Sequence, residues 1–278
     1  MRRRTLESLK WPLMILAALS AATVAGQAAS PPKLGVLAHR GLCLVAPENT
    51  LAAFHQALDA GYGFELDVYA SKDGVPVVIH DPTVDRTTNG SGKVESMTLA
   101  ELKQLDAGSG FDAKFAGQRI PTLDEVLALV AGHARGDVTI ALHMKRWDKP
   151  LLEKTIGLVG KHGLFKRTYA FGQPPEASRQ IKQIDHRMRT VMADFSDPRK
   201  YADPDVWSRV LAEKTCDGLW VHFIPTQAAM HEARQHGKPV YLYTARNDAE
   251  FWRQGKAAGV IFCLNDVTAW MKAVATDR

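Results

Sequence analysis

The stretch Phe64-Glu65-Leu66-Asp67-Val68-Tyr69-Ala70-Ser71-Lys72-Asp73-Gly74-Val75-Pro76-Val77-Val78-Ile79-His80 decides how the rest of the chain is counted. Its first five residues alternate: Phe64, Leu66 and Val68 share one face, Glu65 and Asp67 the other, which is the period of a strand. A second β-rich run over residues 75–80 follows after a short polar link. A parallel crossover needs about a dozen residues or more, so the two runs form either a hairpin or one barrel strand with a bent extension. With residues 71–74 as a four-residue loop, Ala70 opposes Val75, and Glu65 is predicted to lie opposite His80.

Working outward, strand-like runs also occupy residues 34–38, 137–144, 167–171, 188–193, 218–223, 239–244 and 260–264. Helical spacing separates many of them. Leu51, Phe54 and Leu58 recur on one face, and Leu123, Val126, Leu127 and Val130 do the same. Thr98-x-x-Glu101 and Thr122-x-x-Glu125 have the form of capping boxes that open helices. This alternation predicts one α/β domain over residues 29–278, a TIM-type (β/α)8 barrel, with a doubly wound open sheet as the alternative. The nine runs are one too many for eight staves, so one member of the 64–80 pair must leave the ring. An inserted segment over residues 81–122 follows the third strand-like run. A connection that long is either a functional lid or a packed surface excursion with one short helix.

Hydrophobic residues make up 46% of the chain and charged ones 23%, which excludes a disordered chain, a collagen-like fibre and a small disulfide scaffold. The net charge is +5, but Arg2, Arg3, Arg4 and Lys10 against Glu7 place three of those charges in the first 28 residues. The remainder is too weakly basic for a binder of nucleic-acid backbones. The charged start, the apolar run over residues 11–24 and the small residues after it predict a signal peptide, residues 1–28, cleaved after Ala28. Ser20 and Thr23 dilute the run below what a membrane span needs, and no Cys follows it to carry a lipid. The mature chain is therefore expected to be secreted or periplasmic, without a stable membrane anchor. Cys43, Cys216 and Cys263 form an odd set with no CxxC spacing, so neither zinc nor a redox pair is indicated.

Strand alternation also places polar side chains. If the apolar face of residues 64–68 packs on helices, Glu65 and Asp67 point into the barrel or its mouth. Two such carboxylates raise each other's pKa unless a cation compensates. A divalent metal is one partner of that kind; an ion pair with Arg40 or Lys145 is the other. In residues 138–145, Val138, Ile140 and Leu142 face one way, while His143 and Lys145 face the other. His39 and Arg40 follow the first run and His80-Asp81 the third, at strand ends where barrel enzymes keep their chemistry. Two imidazoles, a metal and flanking cations suit phosphoryl chemistry. No GxxxxGK[ST], GxGxxG or GxSxG occurs, so nucleotide loops and the serine-hydrolase elbow are absent.

These residues fall in an ordered series: Ala38-His39-Arg40-Gly41, Ala46-Pro47-Glu48-Asn49-Thr50, Glu65-Leu66-Asp67-Val68, Lys72-Asp73-Gly74, Val77-Val78-Ile79-His80-Asp81, Arg86-Thr87-Thr88-Asn89-Gly90 and Ile120-Pro121-Thr122-Leu123-Asp124-Glu125. The series resembles the glycerophosphodiester phosphodiesterase family over most of the mature chain. The resemblance implies a TIM-type barrel that hydrolyses glycerophosphodiesters to an alcohol and glycerol 3-phosphate with a divalent cation, often Ca²⁺ or Mg²⁺. It implies His39 as general base and His80 as the acid for the leaving alcohol. Arg40 would bind phosphate with Lys145 nearby, and Glu65 and Asp67 would hold the metal. Glu48 either supports the site or orients the turn, with Asn49 or Thr50 capping the next helix.

Three departures stand out. The family's Glu-x-Lys reads His143-Met144-Lys145 here, so His143 is predicted either as a nitrogen ligand favouring Mn²⁺ or Zn²⁺, or as a non-ligand. The aromatic place in Tyr241-Leu242-Tyr243-Thr244 falls to Tyr243, a candidate substrate contact. In the closing segment Asn265-Asp266-Val267-Thr268, Asp266 survives while the family's Gly and Pro do not. Trp147, Phe171, Trp220, His222 and Tyr243 are candidate walls for a choline-like cation, with plain packing as the other reading. The expected partner is a small-molecule or lipid-derived phosphodiester. A lysophospholipase D or sphingomyelinase D-like activity is the neighbouring reading, and a catalytically impaired phosphodiester-binding protein the non-enzymatic one.

Overall fold

The computed structural model describes residues 35–134, 138–172, 174–193, 197 and 199–275; the leader predicted over residues 1–28 falls outside them. The strands are β1 (Val36–Ala38), β2 (Gly63–Ala70), β3 (Pro76–Val78), β4 (Ile140–Met144), β5 (Thr168–Phe171), β6 (Arg189–Thr190), β7 (Met192–Ala193), β8 (Leu219–Val221), β9 (Val240–Tyr243) and β10 (Ile261–Leu264). The helices are α1 (Leu51–Asp59), α2 (Leu99–Leu102), α3 (Leu123–Gly132), α4 (Lys149–Lys161), α5 (Pro175–Ile184), α6 (Pro204–Ala212), α7 (Gln227–Gln235), α8 (Ala249–Ala258) and α9 (Val267–Ala275).

Parallel pairing runs in the order β6-β5-β4-β2-β1-β10-β9-β8-β7. The first strand lies between the second and the last, which a doubly wound open sheet does not allow. The two ends of the path, β6 and β7, are neighbours in sequence, separated only by Val191. The Val191 N–H donates to the Ala170 carbonyl on one side, and the Met192 N–H donates to the Gly218 carbonyl on the other. Residues 189–193 thus serve as one stave that changes partner midway, and the chain itself closes an eight-stave TIM-type barrel.

The surplus run is β3, which pairs antiparallel with β2 and leaves the ring. Its register corrects the sequence reading by one residue: Ala70 opposes Pro76 and Val68 opposes Val78. The loop has five residues because Ser71 and Val75 bond to each other, the Ser71 N–H to the Val75 carbonyl and the Val75 N–H to the Ser71 hydroxyl. Gly74, at φ +72°, supplies the left-handed turn inside it. Glu65 therefore does not face His80. In this register Val78 joins the main core, and Val77 packs under the insertion.

Alternation sorts the staves into two layers. Phe64, Leu66, Val68, Ile140, Leu142, Phe262 and Leu264 face the helices, whereas Leu37, Ala141, Tyr169, Phe171, Trp220, Tyr241 and Cys263 fill the interior. Phe171 stacks on Trp220 at 4.1 Å between ring centroids, so the barrel is packed beneath its mouth. Residues 81–122 carry α2 and a small apolar core of their own, with Val84, Val94, Leu102 and Ile120 on Val77 and Ile79. Both capping boxes form, at α2 with Thr98 and Glu101 and at α3 with Thr122 and Glu125. All three cysteines are free thiols. Among the described residues, no helix is long and apolar enough to cross a membrane.

Candidate active site

The predicted residues gather at the C-terminal ends of five adjacent staves. His39 and Arg40 follow β1, Glu65 and Asp67 lie on β2, His143 lies on β4 with Lys145 just beyond the strand, Tyr243 ends β9, and Asn265, which was not predicted, joins them after β10. The hairpin brings His80 and Asp81 to the same mouth from β3.

The turn after β1 is strained. Arg40 and Asn49 both adopt φ +56°, unusual for side chains other than glycine. That conformation turns the Arg40 N–H onto Glu65 Oε2 at 3.1 Å while its guanidinium reaches Glu48 Oε1 at 2.9 Å and lies 3.6 Å from Asp67 Oδ2. Gly41 follows at φ +77°, where an added Cβ would meet Ala53 at 2.8 Å, so only glycine lets the loop lie on α1. Asn49 donates to Asp67 Oδ2 at 2.8 Å, and Thr50 caps α1.

His39 Nδ1 lies 2.5 Å from Asn265 Oδ1. The amide oxygen can only accept, so Nδ1 carries the proton and Nε2, 3.8 Å from Glu65 Oε2, is left unprotonated. Burial, then the nearby Arg40, lowers the His39 pKa to about 4, which keeps the ring neutral near pH 7. Tyr243 packs on this ring at 4.8 Å. On the other side, His80 Nδ1 donates to Asp81 Oδ1 at 2.6 Å, and Arg86 Nε donates to Asp81 Oδ2 at 2.6 Å.

Glu65 and Asp67 are fully enclosed, at 1% and 0% exposure. Burial and then the neighbouring Asp67 push the Glu65 carboxyl well above its ordinary range. Burial works the same way on Asp67, but His143 and Lys145 overcome it and hold that carboxyl low. Lys145 Nζ is 3.0 Å and His143 Nδ1 3.1 Å from Asp67 Oδ1. Both readings of the carboxylate pair therefore have a counterpart: Asp67 has ion pairs with Arg40 and Lys145, while ionisation of Glu65 is opposed by burial and by Asp67. Glu65 Oε1 and Asp67 Oδ1 are buried without a well-aligned hydrogen bond. One donor atom each from Glu65, Asp67 and His143 lies within 4.8 Å of the others. Glu65 Oε1, Asp67 Oδ1 and a His143 nitrogen together fit a divalent cation, which would favour the ionised form that burial opposes at Glu65. His143 is braced from below by stacking on Phe171 at 4.7 Å and by Gly172, where a Cβ would stand 2.4 Å from its ring.

Of the candidate walls, Phe171 and Trp220 are buried packing beneath the site. His222 and Tyr243 meet at 5.9 Å beside His39, and Trp147 is 43% exposed. Asp266 caps α9 through the Ala269 N–H, so its place in the closing segment is structural. Sequence reading gave Asn265 and Arg86 no role, offered Asn49 only as a helix cap, and placed Asp81 at a strand end without a task of its own. Asn265 continues the inward alternation of Ile261 and Cys263 and could have been found that way; the positive φ of Asn49 has no sequence signal. A groove of about 500 Å³ lined by His55, Lys103, Arg119 and Glu125 lies between α1 and the insertion, apart from these residues.

Comparison with known proteins agrees with this geometry. Residues 39–268 match the profile of the Glycerophosphoryl diester phosphodiesterase family. A Caldanaerobacter subterraneus protein named glycerophosphodiester phosphodiesterase is 60% identical over 96 residues, which span 34% of this chain and 40% of that protein. The crystal structure of glycerophosphodiester phosphodiesterase from Agrobacterium tumefaciens superposes with a TM-score of 0.68 at 31% identity, covering 83% of this chain and 95% of that one. An Oleispira antarctica phosphodiesterase in complex with the product sn-glycerol-3-phosphate gives 0.69 at 28% identity, covering 86% and 96%. The chain belongs to the glycerophosphoryl diester phosphodiesterase family.

Proposed function

We propose that this family member hydrolyses glycerophosphodiesters to an alcohol and glycerol 3-phosphate, acting outside the cytoplasm after residues 1–28 are removed. The observation that carries the reading is the His39 imidazole, with Nδ1 tied to Asn265 and Nε2 turned toward the Glu65/Asp67 pair between Arg40 and Lys145. In this reading His39 Nε2 takes the proton of the attacking hydroxyl, from water or from the substrate's own neighbouring hydroxyl, as the new P–O bond forms; on the second route water then opens the resulting cyclic phosphate to glycerol 3-phosphate. His80, held through Nδ1 by Asp81, gives its Nε2 proton to the alcohol oxygen as the old P–O bond breaks. Arg40 and Lys145 offset the charge that grows on the phosphoryl oxygens. A divalent ion on Glu65, Asp67 and His143 would polarise a phosphoryl oxygen when bound.

The test is glycerol 3-phosphate release from glycerophosphocholine and glycerophosphoethanolamine by residues 29–278, after chelation and re-addition of Ca²⁺, Mg²⁺, Mn²⁺ or Zn²⁺. Turnover that returns with metal and is lost in His39→Ala supports the reading; no turnover with any metal overturns it.

One observation favours lipid substrates as a second reading. Leu44 and Val45, in the loop after β1, and Trp147, after β4, are 59%, 44% and 43% exposed on the same end of the barrel as the site. Release of choline from lysophosphatidylcholine in preference to glycerophosphocholine would select it.

A further inference from the structure

The mechanism leaves unexplained a guanidinium that the insertion brings to the site. Arg86 is the fifth residue beyond Asp81, 48% exposed at its side chain, yet all three of its nitrogens are engaged. Nη1 and Nη2 grip Glu48 at 2.9 and 2.8 Å, and Nε reaches Asp81 Oδ2 at 2.6 Å. The other oxygen of Asp81 receives His80 Nδ1 at 2.6 Å, and Glu48 also receives Arg40 Nη1 at 2.9 Å. A continuous chain, His80–Asp81–Arg86–Glu48–Arg40, therefore joins the acid histidine to the phosphate-facing arginine through groups of alternating charge.

We propose that Arg86 is a positioning residue for the leaving-group proton: anchored on Glu48, it fixes the Asp81 carboxylate, which in turn holds the His80 ring with Nε2 toward the departing alcohol. The inference rests on the functional reading above. Asp81 alone could rotate about its own side chain and carry the ring with it. With one oxygen committed to Arg86 and one to His80, neither group turns without breaking a charge-assisted bond. Arg86 lowers the Asp81 pKa to about 2 against the opposing effect of burial, with His80 adding to the shift, so the link stays ionic throughout the neutral range. Lysine cannot replace this arrangement, because a single ammonium lacks the planar fork and the separate Nε donor. The insertion thus contributes a working part of the site as well as a packed cover for Val77 and Ile79.

The experiment compares two glycerophosphodiesters in the metal-loaded enzyme: glycerophosphocholine, whose alcohol must be protonated to leave, and glycerol 3-(p-nitrophenyl) phosphate, whose phenolate leaves without a proton. Arg86→Lys and Asp81→Asn are each expected to lower kcat about 100-fold on the choline ester while the nitrophenyl ester stays within about twofold of wild type. A role confined to folding the insertion, or to orienting Arg40 through Glu48, would lower both esters alike. Equal losses on the two esters, or no loss on the choline ester, overturn the inference. Wild-type enzyme that turns over neither ester would instead overturn the functional reading on which it rests.

Discussion

Asn265 Oδ1 lies 2.5 Å from His39 Nδ1, joining the residue that follows the last strand to the residue that follows the first. β1 and β10 are paired in register, Ala38 against Leu264, so the two side chains project side by side from the seam of the barrel. The contact selects the tautomer with a free Nε2, and that tautomer is what a general base needs.

Asn265→Leu keeps the volume and removes the acceptor. Its kcat is expected to fall about 10- to 100-fold with KM little changed, because the loss is in the orientation of a reacting group. Asn265→Asp retains an acceptor and should keep more of the rate. Steady-state kinetics on glycerophosphocholine checks this; wild-type kcat in the leucine variant would contradict it.

His143 offers a nitrogen beside Glu65 and Asp67 in the group that could hold a metal ion. Metal-free wild type should regain turnover best with Mn²⁺ or Zn²⁺, and His143→Glu should move the preference toward Ca²⁺ or Mg²⁺. Metal titrations of the two proteins decide the matter, and an identical order and affinity would count against ligation by His143.

A methyl group at Gly172 would stand 2.4 Å from Cδ2 of His143, at a backbone φ of +86°. Gly172→Ala should therefore displace the imidazole from between Phe171 and Asp67 and cost about 1–3 kcal/mol of stability. Calorimetric titration with Mn²⁺ should show weakened binding. Unchanged binding in a folded variant would mean that the ring has room to move.

Asp81 has its folded pKa depressed from 3.8 to about 2 by Arg86, against burial, with help from His80. A depressed carboxyl stabilises the fold fully above its unfolded pKa and loses that contribution as pH falls toward the folded value. The Tm difference between wild type and Asp81→Asn should therefore stay constant above about pH 4 and shrink from there to about pH 2. A difference that persists at pH 2 would rule out the ionic link as its source.

What was legible in the sequence is what repeats locally. The period of two in residues 64–68 and 138–145 put Glu65, Asp67, His143 and Lys145 on the inner face, and each lies there. Thr98-x-x-Glu101 and Thr122-x-x-Glu125 announced helix starts because a capping box closes within four residues. The short link at residues 71–75 forced β3 off the ring, since no parallel crossover fits in it.

What only the tertiary structure decided depends on contacts that no local period encodes. The hairpin register turned on Ser71 bonding to Val75, a choice of loop geometry that shifted every facing residue by one position. The break at Val191 reflects the switch from β5 to β8 as partner at the place where the ring closes. The hydrogen bond between His39 and Asn265 spans 226 positions, and that between Arg86 and Glu48 spans 38. The sequence by itself determined which side chains point inward, because side-chain direction along a strand is set by the backbone. Which of them touch was decided by closure of the barrel, because only then do the first and last strands share a seam and a surface insertion reach the mouth.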